Sequence, residues 1–401
     1  MAKKKNIPDI RFKGFSDEWE EYSLGELGSV VMNKRIFKNQ TLEDGDIPFY
    51  KIGTFGGLPN AFISRDLFEE YKSKYPYPEK GDILISASGS IGRIVEYLGK
   101  DEYFQDSNIV WLQHDNRIQN SFLKYFYNVV KWSGLEGSTI KRLYNKNILD
   151  TSISLPQPKE QTQIGNYFKN LDQLITQHQQ KYDKLLSIKK AMLKKMFPQN
   201  GANVPEIRFK GFTDEWVEKK LENITNAIFD GTHQTPTYTD FGIPFFSVEN
   251  LISNKSNKFI SYTDYLETTK INKPEKNDVL ITRIGNIGFS KVVDWDYPFS
   301  IYVTLAVIKQ SEQFNSYFLN FNIQSSQYQN ELLTNSLLSA VPCKINMDNL
   351  RKTKITISTD IQEQTKIGNY FTHLDNLITL NNQKLEKLKN IKKAFLDKMF
   401  V

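Results

Sequence analysis

Two long duplications shape this chain of 401 residues. The decapeptide at 10–19 (IRFKGFSDEW) returns at 207–216 (IRFKGFTDEW), and 160–197 returns at 363–400 with 25 of 38 positions identical. Between these copies the sequence hardly repeats. Near-duplicate connectors with divergent middles are typical of a chain that holds two different recognition modules in one geometric relation. The sequence therefore predicts an internal, pseudo-twofold repeat.

The divergent middles still share a scaffold, because 78–86 (PEKGDILIS) matches 274–282 (PEKNDVLIT). Short apolar runs bounded by turn-forming residues predict strands at 82–85, 107–112, 278–281 and 302–308. Apolar spacing predicts a helix over 121–132 and a weaker counterpart over 317–321. Both modules are therefore expected to have an α+β fold.

The duplicated stretch predicts one long amphipathic helix in each half of the chain, since apolar side chains recur at steps of three and four. At 1.5 Å per residue, about 38 residues make a rod of roughly 57 Å. Each rod must bury its apolar stripe, and its own duplicate is the economical partner. We expect the two helices to pair antiparallel as a coiled-coil spacer. Pro158 suits the first turn of the first helix, and Thr359 with Gln362 predicts a capping box at the second.

Composition excludes several classes of protein. The single cysteine, Cys343, cannot form an internal disulfide, and four scattered histidines predict no metal site around it. No apolar run approaches the roughly 18 residues of a membrane span, and no secretion signal is present, so a cytoplasmic protein is expected. The net charge of +6 lies mainly on the duplicated helical stretches, where solvated lysines explain most of it.

Motifs for catalysis are missing from the sequence. It has no Asn/Asp-Pro-Pro-aromatic motif of an adenine methyltransferase and no Gly-Lys followed by Ser or Thr, as a P-loop requires. Its histidines do not cluster with a nucleophile or an acid. We predict no catalytic residue, no cofactor and no metal.

Several motifs occur twice and in fixed order. Taken together, IRFKGFSDEW, EQTQIGNYFKNLDQLI with its partner EQTKIGNYFTHLDNLI, and IPF followed by GDILISASGSIG resemble the specificity subunit of type I restriction-modification enzymes. The resemblance covers essentially the whole chain. It implies two target-recognition domains, each reading half of a bipartite, asymmetric site on double-stranded DNA. It also implies a non-catalytic subunit whose helices dock two methyltransferase subunits for adenine modification, with restriction subunits attached to that core.

The predicted domain boundaries follow from the repeats and the resemblance. They are 1–157 for the first target-recognition domain, 158–198 for the first spacer helix, 199–357 for the second target-recognition domain and 358–401 for the second spacer helix.

Loops that differ between the aligned copies are the better candidates for reading DNA, because the common scaffold of the two modules already explains the segments that they share. One such loop contains residues 33–35 in the first module, opposite residues 230–232 in the second, and there the sequence GTHQTPTYTDFGIPF offers groups suited to base edges and phosphates. The other is a turn (SASGSIGR and TRIGNIGF) whose paired glycines predict a backbone bend rather than phosphate cradling. The predicted DNA-binding residues are Lys34, Arg35, Ser88, Ser90, Arg93, Thr232, His233, Gln234, Thr235, Tyr238, Arg283, Asn286 and Lys291. The alternative is an ordinary polar loop.

Duplicated positions on the long helices have no active site to explain them, so two equivalent docking sites for two identical partners are expected there. The candidates are Glu160, Gln161, Asn166, Tyr167, Phe168, Asp172, Glu363, Gln364, Asn369, Tyr370, Phe371 and Asp375. The alternative is packing within the chain between connector and module, and Gly165 and Gly368 suggest close packing at the same place.

Two other classes of function stay open at this point. One is a stand-alone two-domain DNA-binding repressor or scaffold without enzyme partners. The other is a purely structural coiled-coil protein, which would not bind DNA at any salt concentration. Co-purification with genomic neighbours separates these from the specificity subunit.

Overall fold

The computed structural model describes residues 6–134, 142–199, 201–253 and 255–401. The chain forms two compact units: the first unit comprises Met1–Gln179 and Gln383–Val401, and the second unit comprises Gln180–Asn382. Each unit therefore joins one module to a part of both long helices. The predicted division into four segments describes the sequence repeats and stays a prediction.

The module of the first unit contains short strands and short helices, followed by the first long helix. Its strands are β1 (Glu20–Ser23), β2 (Gly28–Val31), β3 (Ile47–Tyr50), β4 (Phe62–Ile63), β5 (Ile83–Ser86), β6 (Ile94–Glu96), β7 (Tyr103–Phe104), β8 (Ile109–His114) and β9 (Ser152–Leu155). Its helices are α1 (Leu24–Leu27), α2 (Arg65–Lys74), α3 (Asn120–Val129), α4 (Asn145–Leu149) and the long α5 (Pro158–Lys195).

The module of the second unit repeats this order with small differences. Its strands are β10 (Val217–Lys220), β11 (Ile228–Asp230), β12 (Tyr238–Thr239), β13 (Ile243–Phe246), β14 (Phe259–Ile260), β15 (Val279–Thr282), β16 (Ser290–Val292), β17 (Ser300–Ile301), β18 (Leu305–Ile308) and β19 (Lys354–Ile357). Its helices are α6 (Val248–Ser253), α7 (Tyr262–Thr268), α8 (Ser316–Ile323), α9 (Ser326–Thr334), α10 (Met347–Lys352) and the long α11 (Ile361–Met399).

Sheet topology confirms that the two modules share one α+β fold. The main sheet has the strand order β2-β8-β5-β6 in the first unit and β11-β18-β15-β16 in the second. A smaller sheet contains a parallel pair in each unit, β3 with β7 and β13 with β17. A separate antiparallel pair of strands joins the beginning of each module to its end. This pair is β1 with β9 in the first unit and β10 with β19 in the second.

The predicted strands and helices exist with shifted ends. The apolar runs form β5, β8, β15 and β18, and the predicted helices form α3 and α8. Strand β5 begins one residue late, because the Asp82 carboxylate accepts the Glu79 backbone N–H at 2.8 Å and belongs to the preceding turn. The capping box expected at Thr359 is wrong. Asp360 instead accepts the Gln362 backbone N–H at 2.7 Å, since α11 begins one residue later than predicted.

The two long helices run antiparallel within each unit. In the first unit Asp172 pairs with Lys392 at 2.6 Å, and in the second Asp375 pairs with Lys189 at 2.7 Å. These two ion pairs are equivalent under the repeat. The start of α5 thus lies beside the end of α11 in one unit, and the start of α11 lies beside the end of α5 in the other.

The two copies of the duplicated decapeptide lie at equivalent places, which explains why their sequences are nearly identical. The Ile10 backbone N–H donates to the Lys398 carbonyl at 3.0 Å, and Ile207 donates equivalently to Lys195 at 2.9 Å. Each copy therefore caps the last turn of one long helix with a donor for an otherwise unpaired carbonyl. At this junction in the first unit, Phe168 of α5 is buried in the hydrophobic core.

Candidate nucleic-acid interface

A glycine-containing turn follows β5 in the first unit and β15 in the second, and it is closed in the same way in both. Gly89 and Gly92 have φ of +64° and +78°, and Gly285 and Gly288 have +83° and +88°. A side chain with a Cβ rarely adopts this left-handed region, so the predicted backbone bend is confirmed. The residue that opens the turn also closes it, because the Ser86 hydroxyl accepts the Arg93 backbone N–H at 2.8 Å.

In the first unit, the turn meets two other loops. Ser88 forms an isolated antiparallel bridge with Arg142, and its hydroxyl donates to Asn108 Oδ1 at 2.7 Å. Arg93 Nη1 donates to the Phe55 carbonyl at 2.8 Å. The predicted residues Ser88, Ser90 and Arg93 therefore lie together at one edge of the module.

Arg142 belongs to this edge although sequence reasoning missed it. Its Nη2 donates to the Ser107 carbonyl at 3.2 Å, and its guanidinium lies over the Tyr144 ring at 5.8 Å. Alignment of the two modules could have found it, because a basic residue precedes a buried aliphatic residue in each: Leu143 follows Arg142, and Ile345 stands at the equivalent position of the second module. In the second unit the basic residue is Lys344, which bridges Ile284 in the glycine turn.

Lys34 and Arg35 lie on the loop that follows β2, and both are exposed. Arg35 Nε pairs with Asp106 at 2.8 Å, and Lys34 Nζ lies 5.0 Å from the centre of the Tyr75 ring. The carboxylate neutralises Arg35, which weakens it as an anion ligand. Both residues stay predictions as DNA contacts.

In the second unit, the polar loop after β11 presents its side chains to solvent. His233 is 73% exposed, with Nε2 3.0 Å from Asp230 Oδ2. The Thr235 hydroxyl lies 3.4 Å from the Tyr302 hydroxyl. Gln234 is exposed, and Thr232 is half-buried at a bridge to Tyr302.

Tyr238 stands at the end of this loop on β12. Its ring packs 5.8 Å from Phe245 and carries Lys258 Nζ at 5.2 Å on the ring. About 41% of Tyr238 is exposed. The loop as a whole thus offers hydroxyl, imidazole, amide and aromatic surfaces, the kinds of group that contact bases and phosphates.

Arg283 does not lie on the exposed surface, which argues against its predicted role in DNA binding. Its side chain is 9% exposed, and Nη1 donates to the Val303 carbonyl at 2.8 Å and to Asp230 Oδ2 at 3.3 Å. Burial lowers the pKa of Arg283. The guanidinium is held inside the module, where the first unit has the buried Ala87.

The other two predicted residues of this turn differ in exposure. Asn286 is exposed, and its carbonyl accepts the Thr282 hydroxyl. Lys291 is half-buried with Nζ 5.3 Å from the centre of the Trp295 ring, and burial lowers its pKa. Asn286 therefore fits a surface contact better than Lys291 does.

Half of the predicted docking residues have buried side chains, which favours the alternative of packing within the chain at these positions. These are Glu160, Gln161, Phe168, Glu363, Gln364 and Phe371.

The two glutamates bind the arginine of the duplicated decapeptide. Arg11 Nε and Nη2 donate to the Glu160 carboxylate at 2.7 and 2.8 Å, and this bond raises the pKa of Arg11. Glu363 accepts from Arg208 Nη2 at 2.9 Å and also from Trp216 Nε1 at 3.1 Å. A fully buried carboxylate requires such a partner, since an unpaired charge would be costly.

The two glutamines tie each long helix to its module. Gln161 Oε1 accepts the Gln119 backbone N–H at 2.8 Å, and Gln364 Oε1 accepts the Asn315 backbone N–H at 2.7 Å. Each amide nitrogen donates to carbonyls nearby. These bonds satisfy donors at the starts of α3 and α8, so packing within the chain accounts for the duplicated glutamines.

The remaining docking candidates are at least partly accessible. Asn166 and Asn369 are exposed, and Tyr167 and Tyr370 are half-buried against phenylalanines of the decapeptides. Asp172 and Asp375 make the interhelical ion pairs described above, and Asp172 also accepts the Tyr125 hydroxyl at 2.9 Å. Their role in binding a partner stays a prediction.

Across 6–134, 142–199, 201–253 and 255–401, no group of three or more His, Cys, Asp or Glu side chains could hold a metal ion. In the same part of the chain no helix is long and apolar enough to cross a membrane. Cys343 Sγ donates to the Gly285 carbonyl at 2.9 Å.

Comparison with known proteins agrees with the duplicated architecture. The family model described as the type I restriction modification DNA specificity domain matches residues 16–187 and again 213–390. The specificity subunit of the type I restriction enzyme MjaVIII from Methanocaldococcus jannaschii is 22% identical, over 98% of this chain and 95% of its own length. A Haemophilus influenzae protein provisionally named as such a subunit is 56% identical over 38% of this chain, which is 40% of that protein.

Solved structures show the same fold. The crystal structure of the type I restriction-modification S subunit from M. genitalium matches with a TM-score of 0.59 at 15% identity, covering 98% of this chain and 99% of that one. A chain from a structural study of the assembly and conformational transition of the type I system matches with a TM-score of 0.52 at 16% identity, covering 95% of this chain and 97% of that one. Two matches to the family model, each spanning one module and most of the long helix that follows it, account for most of the sequence. The chain belongs to the family of type I restriction-modification DNA specificity subunits.

Proposed function

We propose that this chain reads a bipartite, asymmetric sequence on double-stranded DNA, with one module on each half-site. The observation that carries the proposal is the contrast between a shared scaffold and unlike edges. The main sheets have the same topology, whereas the bridge at the glycine turn joins Ser88 to Arg142 in the first unit and Ile284 to Lys344 in the second. Modules that differ at the edge facing a groove would select different bases, so the full site would not be a palindrome.

The chain would bring enzyme subunits to that site rather than act on DNA itself. We propose that two methyltransferase subunits, modifying adenine, bind equivalent surfaces of α5 and α11, and that restriction subunits attach through them. Exposed duplicated side chains support two such surfaces: Asn166 with Asn369, and Leu174 with Leu377, which are 42% and 36% exposed. An exposed leucine repeated at equivalent positions fits a protein partner. The assembly would work in the cytoplasm.

A stand-alone repressor or scaffold is not favoured, because the family match covers both modules and most of both long helices. Co-expression of the tagged chain with its genomic neighbours separates the two functions. The specificity subunit should draw down a methyltransferase at two copies per chain. DNA binding by the chain without any such partner would instead support the repressor.

Exchanging one module tests the division of labour between half-sites. The segment 217–357 can be replaced as a unit, because its ends are paired as strands β10 and β19 with Val217 opposite Ile357. Sequencing of methylated bases in cells that carry the wild-type or the exchanged gene reports the recognised motif. We expect one half of the motif to change and the other to persist. A motif altered in both halves, or a palindromic wild-type motif, would contradict the proposal.

A further inference from the structure

Two arginines at the glycine turn of the first unit form no ion pair with any residue that the structure describes. Within the described part of the chain, four arginines of this unit form ion pairs with carboxylates and two do not. The paired ones are Arg11, Arg35, Arg65 and Arg117. The other two, Arg93 and Arg142, both contact the turn at 86–93.

Among the described residues, both guanidinium groups contact neutral partners only. Arg142 has its Nη2 on the Ser107 carbonyl and one face over Tyr144. Arg93 has its Nη1 on the Phe55 carbonyl and its Nη2 3.5 Å from the Ser90 hydroxyl. Each guanidinium keeps further N–H donors beyond these bonds, since arginine has five. An orientation fixed in this way reduces the entropy lost when a ligand binds.

The second unit lacks this arrangement. Its arginines, Arg208, Arg283 and Arg351, all pair with carboxylates in the described residues. At the place equivalent to Arg142 it has Lys344, which forms no ion pair with a described residue. A lysine is a point charge on a flexible stem and cannot make the forked contact of a guanidinium.

We propose that Arg93 and Arg142 read guanine, so that the half-site of the first module contains at least one guanine contacted from the major groove by this pair. The inference deepens the proposed function and rests on it. Two parallel bonds from an arginine to guanine O6 and N7 are the commonest specific contact between a protein and DNA. Lys344 in the second module would instead contact phosphate or a single acceptor, and that half-site would be read through the polar loop containing His233.

The test compares base preferences of the full chain bound to its methyltransferase partner. A pool of duplexes randomised over the site is selected with the wild type and with Arg142→Lys and Arg93→Lys, which keep the charge and remove the fork. Arg65→Lys serves as control, because Arg65 is equally basic but paired with Asp101. The exchange of 217–357 identifies which half-site belongs to the first module.

We expect the wild type to select a guanine in that half-site, and one variant or both to lose preference for it by about 10-fold. The other half-site is an internal control for folding and should be unchanged. Three results would overturn the inference alone: a wild-type half-site without guanine, variants that weaken all sequences equally, or variants with unaltered preference. A wild-type complex that selects no sequence would instead remove the proposed function, and the inference with it.

Discussion

Gly165 in α5 lies against Ser121 of α3, and a methyl group added there should destabilise the first unit. An ideal Cβ on Gly165 would lie 2.6 Å from Ser121 Cβ, 2.7 Å from its Oγ and 2.8 Å from its backbone carbonyl carbon. Rotation of the serine can move only the hydroxyl. The other two atoms move only if α3 shifts away from α5.

Two opposing contributions decide the size of the effect. Alanine is favoured over glycine in a helix interior by about 1 kcal/mol. Forcing an extra methyl group into a packed contact costs about 1–3 kcal/mol, and distances this short place Gly165 at the upper end. The net change for Gly165→Ala is therefore a loss of about 1–2 kcal/mol. An ideal Cβ on Gly368 would lie 3.0 Å from Asn315 Oδ1, 3.0 Å from the Phe318 backbone nitrogen and 3.1 Å from Tyr317 Cβ. These contacts are less tight, so Gly368→Ala should be close to neutral.

Urea unfolding gives the free-energy change, and hydrogen exchange of peptides from α3 and α8 assigns it to a unit. Gly165→Ala should lower protection in α3 and leave α8 unaffected. Asn166→Ala is the matched control, because it is exposed on the same turn and should gain about 0.5 kcal/mol from helix propensity. A Gly165→Ala variant as stable as the wild type would refute the close-packing argument, and the duplicated glycines would then need another explanation.

Three further predictions concern charges. Glu160→Gln should cost about 3–5 kcal/mol of unfolding free energy, because it leaves the nearly buried Arg11 without its carboxylate; Glu69→Gln, in an exposed pair with Arg65 at 3.6 Å, is the control and should change little. The bond from Lys309 lowers the pKa of Glu275, so this pair stabilises the second unit above the ordinary carboxyl pKa of 4.5 and stops doing so as pH falls through the folded pKa. Glu275→Gln should remove that part of the acid dependence of unfolding, and an unchanged profile would contradict it. A double-mutant cycle on Asp172 and Lys392 should give a coupling of about 0.5 kcal/mol, matched by the equivalent Asp375 and Lys189, since both pairs are partly exposed; unequal couplings would argue against their equivalence.

Sequence reasoning predicted what is encoded locally. Strand β5 and helix α3 follow from apolar patterns within a few residues, and the duplications predicted a shared fold and two long helices. The antiparallel pairing followed from the need to bury two identical stripes. The residue that caps α11 was missed by one position, because a capping motif fits both Thr359 and Asp360 until the helix start is known.

Tertiary contacts were beyond sequence reasoning where they join distant residues. Glu160 reads as a solvated helix residue until its partner Arg11, 149 positions away, is placed beside it. Arg283 reads as a surface arginine until the Val303 carbonyl and Asp230 are placed beside it. Charged residues on patterned helices and turns give no local signal of burial, so exposure was the wrong assumption for both.

The arginines also differ in the free energy needed to release each guanidinium from its present partners. An arginine bound to a buried carboxylate, as Arg11 and Arg208 are, could reach DNA only by leaving an unpaired charge inside, at a cost of about 3–5 kcal/mol. Arg93 and Arg142 would break only bonds to neutral groups, which are worth about 1 kcal/mol each. The duplicated Arg11 and Arg208 therefore hold helix to module, whereas Arg93 and Arg142, which have no arginine counterpart in the second module, are available to a base. Divergence between the halves at this edge is what two unlike half-sites require.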